Sequence, residues 1–184
     1  IASSRMPYPL LAVNSLIMQL FTLFSYFMDG FAYASESLCG RFVGAKEKDN
    51  LRQTVKYILL WGLIMSILCM IIYGLFGNEI LKILTDKQEV LIVAKKYMIW
   101  TIIIPIAGFA AFLYDGILIG MIESVIMRNA IFISTFAFFV LYFLLEGVIG
   151  NNALWFAFIA YLVGRSLFMM WFSWKKIFGK ENLN

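Results

Sequence analysis

Five stretches of this chain are each long enough, and free enough of charge, to cross a lipid bilayer, and no other feature constrains the fold as strongly. A membrane-spanning helix needs about 20 mainly apolar residues. The runs fall at about residues 10–38, 57–78, 97–122, 129–146 and 153–174. Each is apolar all round, whereas the strands of a membrane barrel need a two-residue alternation, so helices are the reading that fits. Composition agrees: 62% of the residues are apolar and 14% charged, against about 45–50% and about 25% in an ordinary soluble domain. A fold of 184 residues could not hide that much hydrocarbon from water. The expectation is an all-α membrane protein with five transmembrane helices.

Several function classes fall away. There is no histidine, which excludes His-based catalytic triads and His-ligated zinc within the chain. Cys39 and Cys69 lie in or beside apolar runs without CxxC spacing, so neither a disulfide framework nor a metal site follows from them. No nucleophile motif or metal-ligand cluster suggests a membrane enzyme. The net charge is +4, but the basic residues sit between apolar blocks and form no continuous basic face, so nucleic acid is not an expected partner. The start, IASSRMPYPL, lacks the segments of a signal peptide, and the chain reads as a piece of something longer.

Basic residues orient the spans. The stretch 39–56 carries Arg41, Lys46, Lys48, Arg52 and Lys56, and on the same side fall Arg128, Lys175, Lys176 and Lys180. The opposite side has Arg5, Lys82, Lys87, Lys95 and Lys96, nine basic residues against five. The positive-inside rule puts the 39–56 loop and the C-terminus in the cytoplasm. Residues 79–89 place Ile80, Leu81, Ile83 and Leu84 on a short apolar stripe, read as an interfacial helix leading into the third span.

Ionisable side chains at membrane depth cost roughly 2.5–3.5 kcal/mol each on insertion scales and are functional candidates for that reason. Asp29 lies near the middle of the first span and Glu36 seven residues later, which puts both carboxylates on one helix face with Tyr33 between them. Such a pair can bind a proton or cation in a cavity, or it can pair helices, with Glu36 merely at the interface. Gly30, Ala32 and Gly40 allow close helix approach. Asp115 follows Pro105 and Gly108 in the third span and directly precedes Gly116. Proline frees a backbone carbonyl, and kinked helices often line cavities. Arg165 in the last span either pairs with one of these acids, meets a substrate, or snorkels to the interface beside Trp171 and Trp174. Tyr26-Phe27-Met28-Asp29-Gly30 weakly echoes Phe112-Leu113-Tyr114-Asp115-Gly116. With 18 Phe, 9 Tyr, 5 Trp and 10 Met, the chain could line a pliable pocket for bulky organic cations, with Tyr33 and Tyr114 as candidates.

Leu11-Ala12-Val13-Asn14, Asp29-Gly30-Phe31-Ala32 and Gly44-Ala45-Lys46, followed by Thr85-Asp86, Glu89-Val90, Tyr97, Pro105, Asp115-Gly116, Gly120 and Met127-Arg128-Asn129, form a combined pattern. It resembles the multidrug and toxic compound extrusion (MATE) transporters, in particular their DNA-damage-inducible-F-like branch. The resemblance covers nearly the whole chain. It implies helices eight to twelve of a twelve-helix protein whose two six-helix lobes are related by a pseudo-two-fold. Such proteins exchange an organic substrate for H⁺ or Na⁺ by alternating access. The resemblance implies no cofactor beyond that coupling ion. It makes the bilayer, a missing N-terminal lobe of the same protein and a small organic substrate the partners. Asp115 matches an acid contributing to the cation site of this lobe, and Asp29 matches the acid of the eighth-helix element. The family also uses acids on the first and seventh helices, which these residues do not include.

The reading is an ion-coupled antiporter of the bacterial cytoplasmic membrane, with Asp115, Asp29 and Glu36 binding the cation or proton and Tyr33, Tyr114 and Arg165 as substrate-pocket residues. Two alternatives stay open: a lipid-linked oligosaccharide flippase of the same superfamily, favoured by a basic cavity, and a non-transporting membrane scaffold whose acids only pair helices. Residues 1–184 expressed alone in a pump-deficient host are expected to give no energy-dependent dye efflux, and efflux by that segment would contradict the two-lobe reading.

Overall fold

The computed structural model describes residues 8–179, apart from the side chain of Lys175. Arg5 and Lys180, both used in the charge balance, lie outside them. Five helices follow in chain order: α1 (Tyr8–Gly44), α2 (Lys48–Leu84), α3 (Gln88–Gly120), α4 (Ser124–Ile149) and α5 (Asn152–Phe178). All five are long and apolar enough to cross a membrane. Helix is the form in which each segment satisfies its own backbone polar groups where no water is present.

Their limits differ from the sequence expectation in one consistent way. α1 and α2 have 37 residues each, about 55 Å at 1.5 Å per residue, whereas the hydrocarbon layer is about 30 Å thick. The charged stretch 39–56 is therefore not a loop. Arg41 closes α1 and Lys48 opens α2, with only residues 45–47 between them and Lys46 at a positive φ of 57°. Charged residues such as Lys, Glu and Arg are good helix formers, so the helices continue beyond the apolar runs. Nor is 79–89 a separate interfacial helix. Ile80–Leu84 continue α2, residues 85–87 break the chain, and Gln88 begins α3. Leu81 and Val90 from the two sides of this break are buried in one apolar cluster, which ties that stripe to the helix body.

α3 occupies the centre, packed against α1, α2 and α5, while α4 leans mainly on α5. Pro105 lies within α3, buried and without interrupting the helix. Its missing N–H leaves the Thr101 carbonyl without its usual partner one turn back. The outer face of α4 presents Phe132, Phe136 and Phe143, each exposed, as a lipid-facing side would. One end of the bundle is closed by polar contacts. Arg52 of α2 donates to the carbonyls of Ile177 (3.0 Å), Phe178 (3.2 Å) and Gly179 (2.5 Å), carbonyls that the end of α5 leaves without helical partners. Lys176 pairs with Glu123 in the α3–α4 turn. At the other end Lys87 donates to the Tyr8 hydroxyl, which raises the Lys87 pKa and joins the start of α1 to the α2–α3 turn.

α1 and α3 approach one another backbone to backbone. A Cβ at Gly116 would collide with the Ala32 carbonyl and lie 2.9 Å from the Ala32 Cα. A Cβ at Gly120 would collide with the Glu36 carbonyl oxygen and lie 3.0 Å from the Gly40 nitrogen. Backbone meets backbone over a full turn, the contact that small residues four apart allow between membrane helices. By contrast, nothing lies within 4 Å of a Cβ at Gly30. In the full-length protein, Gly116→Ala is therefore expected to lower stability by about 1–3 kcal/mol or more through overpacking. Gly30→Ala is expected to be neutral or to stabilise by up to about 1 kcal/mol. Thermal unfolding of the two variants in detergent checks this, and equal effects would contradict the crossing.

Candidate functional site

The α1–α3 crossing places two acids at one depth. Asp115 immediately precedes Gly116, and Asp29 lies three residues before Ala32, the α1 residue that meets Gly116. Both are half-buried. Asp115 also reaches across to α5, where the Arg165 guanidinium donates to its Oδ2 in an ion pair. The side chains of Arg165 and Asp115 retain only 14% and 21% of their exposure, so the pair is largely out of solvent. The second carboxylate oxygen of Asp115 and the Nε of Arg165 are buried without a hydrogen-bond partner among the described residues. Of the roles open to Arg165, the structure shows pairing with an acid, not snorkelling to the interface.

The remaining expected residues divide. Tyr33 is on the same face of α1 as Asp29 and is 70% exposed, while Glu36 is half-buried with its carbonyl against Gly120. Tyr114 is 1% exposed and sits in the apolar cluster of Ile117, Leu118 and Met169. It packs α3 in place, because successive residues of a helix point about 100° apart and Asp115 takes the direction toward Arg165. That corrects its expected place in an open substrate pocket. The Asp-Gly echo is likewise unequal: Gly116 is pressed against α1 whereas Gly30 faces open space.

Several residues were not singled out from sequence. The exposed side of α1 reads Ser15, Gln19, Thr22, Tyr26, Asp29, Tyr33 and Glu36, in alternating steps of four and three residues. That spacing keeps one stripe along the helix, and it was readable in the sequence. Toward the start of α1 the stripe enters a groove of about 510 Å³, where Asn14, Ser15, Gln19 and Thr22 face Phe138, Trp155 and Phe158. The groove floor is tied by a buried clasp. Asn14 and Asn151 exchange amide hydrogen bonds of 2.8 and 3.0 Å, and the Trp155 indole N–H donates to the Asn14 oxygen at 3.0 Å. Beside it, the Trp100 indole donates to Asn152 at 3.0 Å. Gly150, at φ 55°, makes the turn that presents Asn151. No sequence signal joins residues 137 apart. The Gly116–Gly120 spacing, in contrast, is a GxxxG motif in an apolar segment and could have announced the crossing.

Comparison with known proteins identifies the family of the chain. The MatE family model matches residues 3–145. DNA damage-inducible protein F of Escherichia coli (strain K12) is 33% identical over 173 residues, which cover 93% of this chain and 38% of that protein. The chain thus spans well under half the length of the curated relative it matches.

The clasp yields a direct expectation. Asn14→Ala strands the Asn151 amide and the Trp155 N–H in a dry interior, at a cost of about 1–3 kcal/mol. Asn14→Ala with Asn151→Ala should cost less than the two single losses added together, because the partners act as one unit. A double-mutant cycle of unfolding free energies on the full-length protein measures this, and strict additivity would show that the two amides are independent.

Proposed function

The chain belongs to the MatE family, and from that premise we propose that it is part of an ion-coupled antiporter. This antiporter exports drug-like or other organic compounds by alternating access, driven by H⁺ or Na⁺. One observation carries the reading: a polar stripe runs along α1 at membrane depth and meets two acids at the backbone crossing of α1 and α3. Polar and ionisable groups inside a membrane face the protein interior or a water-filled cavity. A helix that bears such a stripe on its otherwise uncovered side therefore lines a passage or an interface with the rest of the protein, not lipid. The bilayer, the remainder of the polypeptide and a small organic substrate are its partners in this reading. The groove beside α1, with its aromatic rings and amide groups, suits a flat, apolar or cationic organic molecule.

Asp29, Asp115 and Glu36 are the coupling acids of this mechanism, with Tyr33 at the passage wall and Arg165 as the partner that responds to them. A proton or cation reaching the crossing changes the charge between α1 and α3, and with it the relative stability of the outward- and inward-open packings. Because backbone contacts there leave no slack, a small change of charge is converted into movement of whole helices. Substrate release is linked to cation loading through that shared equilibrium. The charge balance supports a cytoplasmic-membrane location with the α1–α2 turn and the C-terminus in the cytoplasm. The flippase alternative needs a basic cavity, and its one hint, Arg165, is neutralised by Asp115.

In the full-length protein, Asp29→Asn and Asp115→Asn are each expected to lower gradient-driven efflux of a cationic dye at least about tenfold, or 1.4 kcal/mol, at unchanged membrane abundance. Asp29 has no ion-pair partner among the described residues, so its variant tests coupling without breaking a pair. Efflux and gradient dependence both unchanged in the two variants would refute the assigned roles.

A further inference from the structure

The exposed faces of α1 and α2 differ in kind. The outward stripe of α1 is polar, whereas every exposed side chain of α2 from Leu60 to Phe76 is apolar, the surface that acyl chains cover. Tyr57, Leu60, Ile64, Ile67 and Ile71 follow in alternating steps of three and four residues, so they share one side of the helix. At the start of α2 that side opens into a groove of about 480 Å³ lined by Asp49, Arg52, Gln53, Lys56 and Tyr57. Exposed Tyr57 and Trp61 stand just below it, and Trp174 of α5 packs on Phe178 with ring centres 4.5 Å apart. Tyr and Trp in such positions mark the headgroup level of a bilayer.

The groove is basic. From Arg41 to Tyr57 five basic residues stand against Glu47 and Asp49, and Glu123 in the α3–α4 turn at the same end is paired with Lys176. Arg52 is largely engaged, capping α5 and pairing with Asp49 at 3.1 Å. The side chain of Asp49 is 95% exposed, where its charge is most screened. Lys56 is exposed and has no ion-pair partner among the described residues. Its ammonium lies 5.9 Å from the centre of the Phe178 ring, a cation–π contact that keeps this flexible side chain beside the groove.

We propose that this groove binds an anionic phospholipid, its phosphate met by Lys56 and the Gln53 amide and its acyl chains laid along Leu60, Ile64 and Ile67. Basic pockets at the ends of membrane helices hold anionic headgroups in this way. A free phosphate gains nothing from the apolar side into which the groove runs. A zwitterionic headgroup finds for its cation only Asp49, which Arg52 already holds. The site is independent of the transport reading and lies at the opposite end of the bundle from the Asn14 clasp.

The test is lipid retention by the purified full-length protein in detergent, read by native mass spectrometry. Dioleoyl phosphatidylglycerol and dioleoyl phosphatidylcholine share their chains and differ in net charge, and the first is expected to bind at least about fivefold tighter. Lys56→Gln, at an exposed position, is expected to lower phosphatidylglycerol affinity about fivefold, or about 1 kcal/mol, and to leave phosphatidylcholine unchanged. Lys56→Arg should keep the affinity. Lys96→Gln removes the same charge from an exposed position near the start of α3, at the far end of the bundle, and should change neither lipid. Glycerol phosphate in large excess should not displace the lipid. Equal affinity for the two lipids would overturn the proposal, as would equal losses in Lys56→Gln and Lys96→Gln. Displacement by glycerol phosphate would overturn it too, by showing a site for a free anion.

Discussion

The bundle depends on a place where two helices touch by their backbones. Between apolar helices in lipid there is no hydrophobic drive to associate, so close packing and satisfied polar groups must do it. Gly116 and Gly120 of α3 supply the close packing by admitting the carbonyls of Ala32 and Glu36 on α1. Asp115 is then carried to the edge of that contact simply because it precedes Gly116. Asp29 is carried there because it lies about one turn before Ala32. The candidate site follows from the crossing: side chains one or three positions from a fixed backbone contact have little choice of place.

Polar satisfaction distributes the rest of the structure. The Asn14–Asn151–Trp155 clasp binds the start of α1 to the α4–α5 turn, and Arg52 caps the end of α5 at the opposite end. Asp115 and Arg165 join α3 to α5 between them. Each uses groups that would be costly alone in hydrocarbon, and each joins helices that the apolar clusters by themselves would leave free to slide. The stripe of α1 is the exception, since among the described residues none of its side chains hydrogen-bonds to another helix and the Ser15 and Thr22 hydroxyls only bond back to the Leu11 and Met18 carbonyls of α1 itself, and that is why it is read as the functional face.

The five helices were legible because charge is scarce enough that its absence over about 20 residues is informative. Their ends were not, because Arg41 and Lys48 favour helix as much as they favour water. The short stripe of Ile80 to Leu84 was correctly seen as apolar but given its own helix, since periodicity cannot say to which neighbour a segment belongs. Asp29 and Asp115 stood out as rare charges in apolar runs. Pairing was among the roles open to Arg165 from sequence, but only the packing of α3 against α5 selects Asp115 as its partner. Tyr114 misled because its position beside Asp115 says nothing about the 100° turn that sends it into the core. The asparagine clasp was silent, being uncharged and joined across the length of the chain.

The claim on which the functional account turns is that the stripe of α1 faces a water-filled passage and not lipid. Single cysteines at Gln19, Tyr26 and Tyr33 in the full-length protein, set against the exposed apolar positions Leu75 and Phe136, can be labelled in intact membranes with a membrane-impermeant thiol reagent in a background lacking Cys39 and Cys69. The account predicts that the stripe positions react, that their rates change with the ion gradient, and that the two control positions stay unlabelled. Uniformly low labelling at stripe and control positions alike, with no response to the gradient, would contradict it.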